Sequence, residues 1–292
     1  MSENGSHAGD APRASGDAAP PSLRRRAPWP LMVVAALFIV VPFLAWYGTW
    51  FGRTLGDEEI EKYLSEGKPR QAQHALSQVA ERIIKGDASA ARFFPQVLKM
   101  AESPVADLRM TAAWVMGLEH KSEEFRAALH RLMEDPEPIV RRNAALALVR
   151  YGDAAARPEL LAMLRPFEVK ARTEGSAETA LSVGTPVKRE SLLVRYKVKP
   201  NLSDEARSPL PGRVEQVFVK EGDQFHAGDR LFVISPDAEQ VRDALIGLSY
   251  LGEESDAPEV ERYARGVEGM PEEVKAQAAR TLGSIKSRAA RR

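Results

Sequence analysis

Side chains that could do chemistry are few in this sequence, and their spacing is not that of a catalytic centre. The chain has no Cys, which excludes disulfides, thiolate metal sites and a cysteine nucleophile. It also lacks a Gly-x-Ser-x-Gly elbow, a phosphate-binding Gly-rich loop that ends in Lys-Ser or Lys-Thr, and a Gly-x-Gly-x-x-Gly loop. None of the histidines pairs with another His or a carboxylate at the spacing of metal ligands. The five are His7, His74, His120, His130 and His226.

These absences predict that the protein is not an enzyme and that it holds no metal or cofactor. An envelope enzyme of unrecognised type is the alternative. Lys plus Arg and Asp plus Glu number 41 each, so the formal net charge is zero and no overall basic excess points to nucleic acid. With 292 residues and 44% hydrophobic content, the chain can form one large or two modest cores and still supply a membrane segment.

An apolar run near the N-terminus predicts a membrane anchor. From Leu31 to Tyr47 the sequence has no charged or amide side chain. Extended to Phe51, the run gives about 21 residues, or about 31 Å of helix, which matches the bilayer core. Trp29 stands at one end and three aromatic residues at the other, where their rings favour the headgroup level. We therefore expect a transmembrane helix over residues 29–51, with the lipid bilayer as a partner.

The residues on either side of this run predict its orientation. Residues 1–28 are rich in Ser, Gly, Ala, Pro and Asp, which is typical of a disordered tail. Arg24, Arg25 and Arg26 precede the apolar run, whereas acidic residues follow it from Asp57 onwards. The positive-inside bias places the tail in the cytoplasm and the rest of the chain outside it, as in a bacterial single-pass inner-membrane protein facing the periplasm. A cleaved signal peptide, a buried core helix and a cytoplasmic scaffold are the alternatives.

After the apolar run, a helical pattern recurs along the chain. Pro69 opens one amphipathic stretch, and Ser103-Pro104 is expected to cap and begin another. Ser103-Pro104 recurs as Asp135-Pro136 at an offset of 32 residues, and the motif that follows it reappears near the C-terminus. One helical unit is therefore predicted to repeat over residues 57–166 and 237–290.

The recurring motif resembles the HEAT-repeat family. Second helices of that family carry Val-Arg, then paired Ala, then Leu, as residues 139–148 do here. The resemblance implies an α-solenoid in which Arg141 lies between repeats and pairs with an acidic residue of its neighbour. A helical bundle with chance self-similarity is the alternative. Trp114 follows Ala112-Ala113 in one such helix, where a core position is the common role and a binding groove the alternative.

Between the helical blocks, residues 167–236 change to the alternating pattern of strands. Gly212, Gly222-Asp223 and Gly228-Asp229 separate the apolar runs, and this spacing resembles half of a biotinyl/lipoyl domain. Gly175 stands 37 residues before Gly212 and indicates a second, weaker half. The resemblance implies a small β-barrel of the barrel-sandwich type, built from two related halves.

The hairpin between these halves contains Lys197 and Lys199. Carrier proteins of the resembled family present their modified Lys at this place, within Glu-Ala-Met-Lys-Met or Asp-Lys-Ala. The flanking Met and acidic residues are missing around Lys199, so we expect a solvated lysine. A carrier subunit with a lipoylated or biotinylated Lys199 is the alternative.

Together these features predict a mainly α-helical protein: one transmembrane helix, then a HEAT-like solenoid interrupted by a lipoyl-like β domain. The same β unit without the lysine is typical of membrane fusion proteins, the periplasmic adaptors of efflux and secretion systems. We therefore expect an extracytoplasmic scaffold or adaptor that binds other membrane or envelope proteins, within a transport or envelope complex. The candidate contact residues are Trp114, Arg141, Lys197, Lys199, Gly222, Asp223, Gly228 and Asp229.

Overall fold

A computed structural model describes residues 33–34, 36–41, 54–66, 68–199 and 201–291. The chain divides into two compact units, Met1–Thr54 and Leu55–Arg292. In the first unit, residues 33–34 and 36–41 are helical. Within the described ranges, no helix has both the length and the apolar character that crossing a bilayer requires. The predicted tail over 1–28 and most of the predicted membrane helix over 29–51 lie outside these ranges.

The second unit is mainly α-helical, with a small antiparallel β region inside it. The described α-helices are α1 (Asp57–Glu66), α2 (Pro69–Ile84), α3 (Phe94–Met100), α4 (Ala106–Leu118), α5 (Glu123–Leu132), α6 (Pro138–Arg150), α7 (Arg157–Met163), α8 (Ala238–Leu251), α9 (Ala257–Ala264) and α10 (Glu272–Ala289). Short 3-10 helices lead into α3, α7 and α9.

Local sequence explains where several helices begin. Pro69 is the first residue of α2 and Pro138 that of α6, positions where the missing N–H has no helical partner to lose. The predicted start of α4 at Pro104 is wrong, because α4 begins two residues later. The Ser103 hydroxyl accepts a hydrogen bond from the Val105 N–H at 3.2 Å, so it closes a turn that precedes the helix.

The helices form an array of packed pairs. Helix α1 packs on α2, α3 on α4, α5 on α6, α7 on α8, and α9 on α10. The second helices of successive pairs also pack on one another, in the order α2, α4, α6, α8 and α10. One hydrophobic core runs through all ten, from Ile60 in α1 to Ile285 in α10. Each pair therefore buries its apolar face against the next, as stacked repeats do.

The β region interrupts one of these pairs. Residues 101–105 join α3 to α4 and residues 133–137 join α5 to α6, whereas residues 164–237 join α7 to α8. The chain leaves the array after the first helix of a pair and returns at its second helix. Because Leu245 of α8 belongs to the same core as Leu160 of α7, the array is continuous across the insertion.

The inserted strands form two four-stranded antiparallel sheets with related topologies. The strands are β1 (Phe167–Lys170), β2 (Gly175–Ala180), β3 (Pro186–Val187), β4 (Leu192–Lys199), β5 (Leu202–Arg207), β6 (Gly212–Val217), β7 (Gln224–Phe225) and β8 (Arg230–Pro236). The strand orders of the two sheets are β1-β8-β6-β3 and β5-β4-β2-β7. If each of the first four strands is exchanged with the strand four places later in the chain, so that β1 becomes β5 and β8 becomes β4, one order becomes the other.

Each half of the β region therefore gives two strands to each sheet. The sheets enclose a hydrophobic core of their own, which includes Tyr196, Val214 and Phe232. Gly212 allows close packing within one sheet, since a Cβ there would stand 2.1 Å from the Ser235 carbonyl oxygen. We refer to residues 167–236 as the β domain.

Polar contacts join the β domain to the helices. The Gln240 Nε2 of α8 donates to the Pro211 carbonyl at 3.0 Å. Arg189, in the loop between β3 and β4, forms an ion pair with Asp107 of α4. These contacts hold the inserted domain against both the helices that precede it and the helix that follows it.

Candidate binding groove of the helical array

A groove with a volume of about 630 Å³ lies where α4, α6 and α8 run side by side. Its lining is mostly small or apolar, with a few polar groups. Helix α4 contributes Trp114 and Gly117, α6 contributes Leu146, Val149 and Arg150 among others, and α8 contributes Asp243, Ile246, Gly247 and Tyr250. We call this the inter-repeat groove.

The groove concentrates the exposed apolar side chains of the second unit. Seven large apolar side chains are exposed among the described residues there, and Trp114, Ile246 and Tyr250 of the groove are three of them. The core position expected for Trp114 is wrong, because its side chain is 43% exposed. Ala112 and Val115 belong to the buried face of α4, and position 114 points away from it. Clustered apolar side chains of this kind mark interaction surfaces.

Two glycines let the groove lie deep between the helices. A Cβ on Gly117 would stand 2.7 Å from the Cβ of Ala147, so α4 and α6 approach too closely there for any side chain. A Cβ on Gly247 would stand 2.9 Å from the Leu160 Cδ1. These close approaches fix the three helices as a rigid floor.

The groove is built from equivalent positions of successive repeats. The second helix of each repeat contributes two positions that lie three residues apart, so both face the same side of that helix. Where one repeat has a large side chain, another repeat has glycine, and this leaves space between the side chains of Trp114 and Tyr250. The first row is Trp114, Leu146 and Gly247, and the second row is Gly117, Val149 and Tyr250.

The polar groups of the groove include one cation without a partner. Arg150 is exposed, and no hydrogen bond or ion pair joins it to any residue that the structure describes. Burial raises the pKa of Asp243, and the Arg242 guanidinium, whose Nη2 lies 3.7 Å away from its carboxylate, lowers it in part. The groove thus offers apolar surface with a free guanidinium at its edge.

Outside the groove lining, arginines tie successive repeats together. Arg109 of α4 holds the Asp135 carboxylate with two hydrogen bonds of 2.6 and 2.9 Å. Arg141 of α6 donates to the Asp135 carbonyl at 2.6 Å and lies 3.4 Å from the Glu159 carboxylate of α7. The pairing that the HEAT resemblance implies for Arg141 is therefore present. A guanidinium engaged in this way serves the repeat interface.

The next residue, Arg142, is buried and poorly paired. Its side chain is 4% exposed, and its Nε lies 3.8 Å from a Glu159 oxygen, beyond hydrogen-bond range. Neither Nε nor Nη1 has a hydrogen-bond partner. Burial is the main cause that lowers the pKa of Arg142 to about 10, well below the ordinary value of an arginine.

The hairpin lysines lie on the β domain and not in the groove. Lys197 is exposed and its ammonium group lies 3.3 Å from the Glu178 carboxylate. Lys199 is the exposed last residue of β4 and stands opposite Leu202 across the hairpin. The structure thus separates both from Trp114.

The predicted turn residues also lie on the β domain. Gly222 and Gly228 have φ of +87° and +91°, which glycine adopts without strain. The Asp223 carboxylate accepts a hydrogen bond from the Lys220 N–H at 2.8 Å, and that of Asp229 accepts from the His226 N–H at 2.7 Å. These bonds stabilise the turns, and their use as a contact surface stays a prediction.

His130 contacts a carboxylate that lies 23 residues later in the chain. The His130 Nε2 lies 2.8 Å from the Asp153 carboxylate, which also accepts from Arg126 at 2.8 Å. Burial acts to raise the pKa of Asp153, but the hydrogen bonds from the Ala155 N–H and Arg126 outweigh it and lower the pKa overall. The pair links two repeats. Among the described residues, no group of three or more His, Asp or Glu could hold a metal ion.

Residues 94–178 match the family model of HEAT repeats. That range contains helices α3 to α7 and the first strands of the β domain. The match therefore covers five of the ten described helices of the array. No curated protein matches the chain. A solved structure of a single-chain, multi-domain long-chain acyl-CoA carboxylase is similar at 16% identity over 34% of this chain and 11% of its own, with a TM-score of 0.24. A likeness that weak carries no argument.

Sequence reasoning found Trp114 but missed its partners in the groove. The 32-residue offset leads from Trp114 to Leu146, and the later copy of the motif leads from Val149 to Tyr250. The signal was therefore present in the repeat alignment. To recognise the groove from this alignment, one would also need to know which of the equivalent positions are exposed.

Proposed function

We propose that this protein is a scaffold whose inter-repeat groove binds a peptide segment of a partner protein. HEAT repeats suggest protein partners, since solenoids offer long surfaces without built-in chemistry. The observation that carries the proposal is the exposure of Trp114, Ile246 and Tyr250 in one groove of the array. Exposed aromatic side chains around a rigid floor are typical anchors of a protein interface.

The groove also indicates the chemistry of that segment. Apolar side chains fit between the walls formed by Trp114 and Tyr250, where their burial is favourable by about 25 cal/mol per Å². The free guanidinium of Arg150 fits a carboxylate at the edge. The proposed occupant is therefore an apolar peptide segment with one Asp or Glu beside its apolar residues.

Selection of displayed random peptides against the full-length chain tests this proposal. The expected consensus contains several apolar residues and one acidic residue. Trp114→Ala and Tyr250→Ala should each weaken binding of the selected peptides about tenfold or more, the range of an interface anchor. Arg150→Glu should shift the consensus from Asp or Glu to Lys or Arg, because it reverses the charge at the edge.

Ile84→Ala is the matched control, because Ile84 is 66% exposed on α2 and does not line the groove. It should leave peptide binding unchanged. Equal binding by the parent chain and by Trp114→Ala would place the peptides elsewhere and refute the groove. A consensus that ignores the Arg150→Glu change would refute the proposed role of its charge.

The proposal extends to a membrane anchor over residues 29–51. The uncharged run from Leu31 to Tyr47 supports it, together with the arginines before that run and the acidic residues after it. We propose a cytoplasmic N-terminus and an extracytoplasmic scaffold. A phosphatase that is active only outside the cytoplasm, fused after Arg292, should be active in cells, whereas a fused reporter that matures only in the cytoplasm should be inactive. The reverse pattern would refute this topology.

We further propose that the β domain is of the biotinyl/lipoyl-like type and serves as a second contact surface, as in transport adaptors. The exchange relation between its two sheets supports this, since two interchangeable halves are the mark of that architecture. Photo-crosslinking from Lys197 or Lys199 would test it, with reconstituted transporter components as the partner. An adaptor should crosslink from the hairpin and also co-purify with the transporter, and failure of both would refute the role.

A further inference from the structure

A second cavity, with a volume of about 530 Å³, lies between α8 and α10 and differs in character from the groove. Its lining consists of arginine, serine and one glycine. No acidic side chain lines it. The side chains that matter are Ser249, Arg280, Ser284, Ser287, Arg288 and Arg291.

Three of these residues, Arg280, Ser284 and Ser287, lie on one face of α10 at spacings of four and three residues. Arg291 follows two residues after the helix ends at Ala289 and is hydrogen bonded to Ser287. From Val274 to the end of the described chain, the sequence contains no Asp or Glu. The local charge is therefore strongly positive although the whole chain is neutral.

Hydrogen bonds to residues three or four positions earlier hold Arg280 and Arg291 in place. Arg280 Nε and Nη2 donate to the Gln277 Oε1 at 3.2 and 2.8 Å, and its Nη1 is not used. Arg291 Nε and Nη2 donate to the carbonyl and hydroxyl of Ser287 at 3.1 and 3.0 Å, and its Nη1 is likewise not used. Each guanidinium thus keeps donors free for a ligand while its conformation is restricted.

Arg288 has a different role in the same cavity. It donates to the carbonyls of Leu248 at 3.1 Å and of Gly252 at 2.7 Å, at the C-terminal end of α8. This anchors α10 to α8 and leaves a third positive charge at the cavity wall. The side chains of Glu253 and Glu254 line a separate cavity that Arg288 also borders.

We propose that this cavity binds a phosphate group. Arginine forks and serine hydroxyls are the donors that recognise phosphate oxygens, and the absence of lining carboxylates removes the repulsion that an anion would meet. The phosphate could belong to free inorganic phosphate or to the headgroup of an anionic lipid. The site is independent of the inter-repeat groove, because the two share no lining residue.

Calorimetric titration of the full-length chain in a neutral detergent tests the site with two probes. The first is inorganic phosphate and the second is short-chain phosphatidylglycerol, with short-chain phosphatidylcholine as its zwitterionic reference. The double variant Arg280→Gln with Arg291→Gln should raise the Kd at least about tenfold, as expected when charged hydrogen bonds are lost. Arg280→Lys with Arg291→Lys should retain part of the affinity, because it keeps the charge without the fork.

Lys275→Gln with Arg265→Gln is the control, because it removes the same charge from nearby exposed positions outside the cavity. Its Kd should stay within about twofold of the parent. Saturable binding of inorganic phosphate supports a free-phosphate site, and binding of phosphatidylglycerol alone supports a headgroup site. Absence of both, or an equal loss of affinity in the control variant, overturns the proposal.

Discussion

The buried guanidinium of Arg142 allows a quantitative prediction about stability. We consider Arg142→Met, which replaces the charge with an apolar side chain of similar length. The pKa of Arg142 is lowered to about 10, chiefly by burial. At about 1.4 kcal/mol for each tenfold change in proton affinity, this corresponds to roughly 3 kcal/mol by which the site disfavours the charged form. Since arginine keeps its proton at neutral pH, that penalty lowers the stability of the native state.

Arg142→Met should therefore leave the free energy of unfolding unchanged or raise it by up to about 3 kcal/mol. Glu159→Gln should act in the opposite direction, because it removes the nearest countercharge from a guanidinium that remains buried. A loss of roughly 3–5 kcal/mol is typical of such a change. The double variant should recover the part of that loss that comes from Arg142, but not the part that comes from the ion pair between Arg141 and Glu159.

Urea denaturation of the full-length chain at pH 7, followed by circular dichroism, measures all three variants against the parent. Equal m-values would show that the variants unfold from comparably compact states. A decrease of more than about 2 kcal/mol for Arg142→Met alone would refute the reasoning. It would mean that this guanidinium makes favourable interactions that outweigh its desolvation.

Three further predictions concern other sites. Gly117→Ala should lower the free energy of unfolding by about 1–3 kcal/mol, because the added Cβ has no room against α6. Gly283→Ala should raise it by up to about 1 kcal/mol, because the added Cβ lies in open space on α10. Urea denaturation measures both changes. Hydrogen bonds hold the pKa of Asp153 below its ordinary value, so stability should fall as the pH drops below about 4, and thermal unfolding of Asp153→Asn should show a smaller decline than that of the parent. Lys199 should be unmodified, so the intact mass of the purified chain should equal that of its sequence, and an added mass at Lys199 would contradict this and favour the carrier alternative.

The match of residues 94–178 to HEAT repeats was predictable because the motif that carries the resemblance is local. Val140-Arg141 followed by paired Ala specifies a second helix, and recurrence at a fixed offset predicts that such helices stack. The pairing of Arg141 with a neighbouring acid followed from the family resemblance. The start of α4 was predicted wrongly, because Ser103 can cap a turn as well as a helix and the sequence does not distinguish the two.

The groove was not predictable to the same extent, because exposure depends on helices that are far apart in sequence. Trp114 stands among buried neighbours, and a helical wheel cannot show that no later helix covers it. Tyr250 reaches the groove only because α8 rejoins the array after the β domain. Arg142 was also missed, since a Val-Arg-Arg sequence gives no indication that its second arginine is buried.

The insertion of the β domain between α7 and α8 also has a consequence for synthesis of the chain. The face of α7 that carries Leu160 is completed by Leu245 of α8, which is translated 85 residues later. At roughly 5–20 residues per second, the ribosome needs about 4–17 s to bridge that interval. The β domain has its own core and can fold within this time, whereas the growing edge of the helical array stays apolar and uncovered. The nascent chain is therefore most exposed to aggregation or chaperone capture during synthesis of residues 164–237.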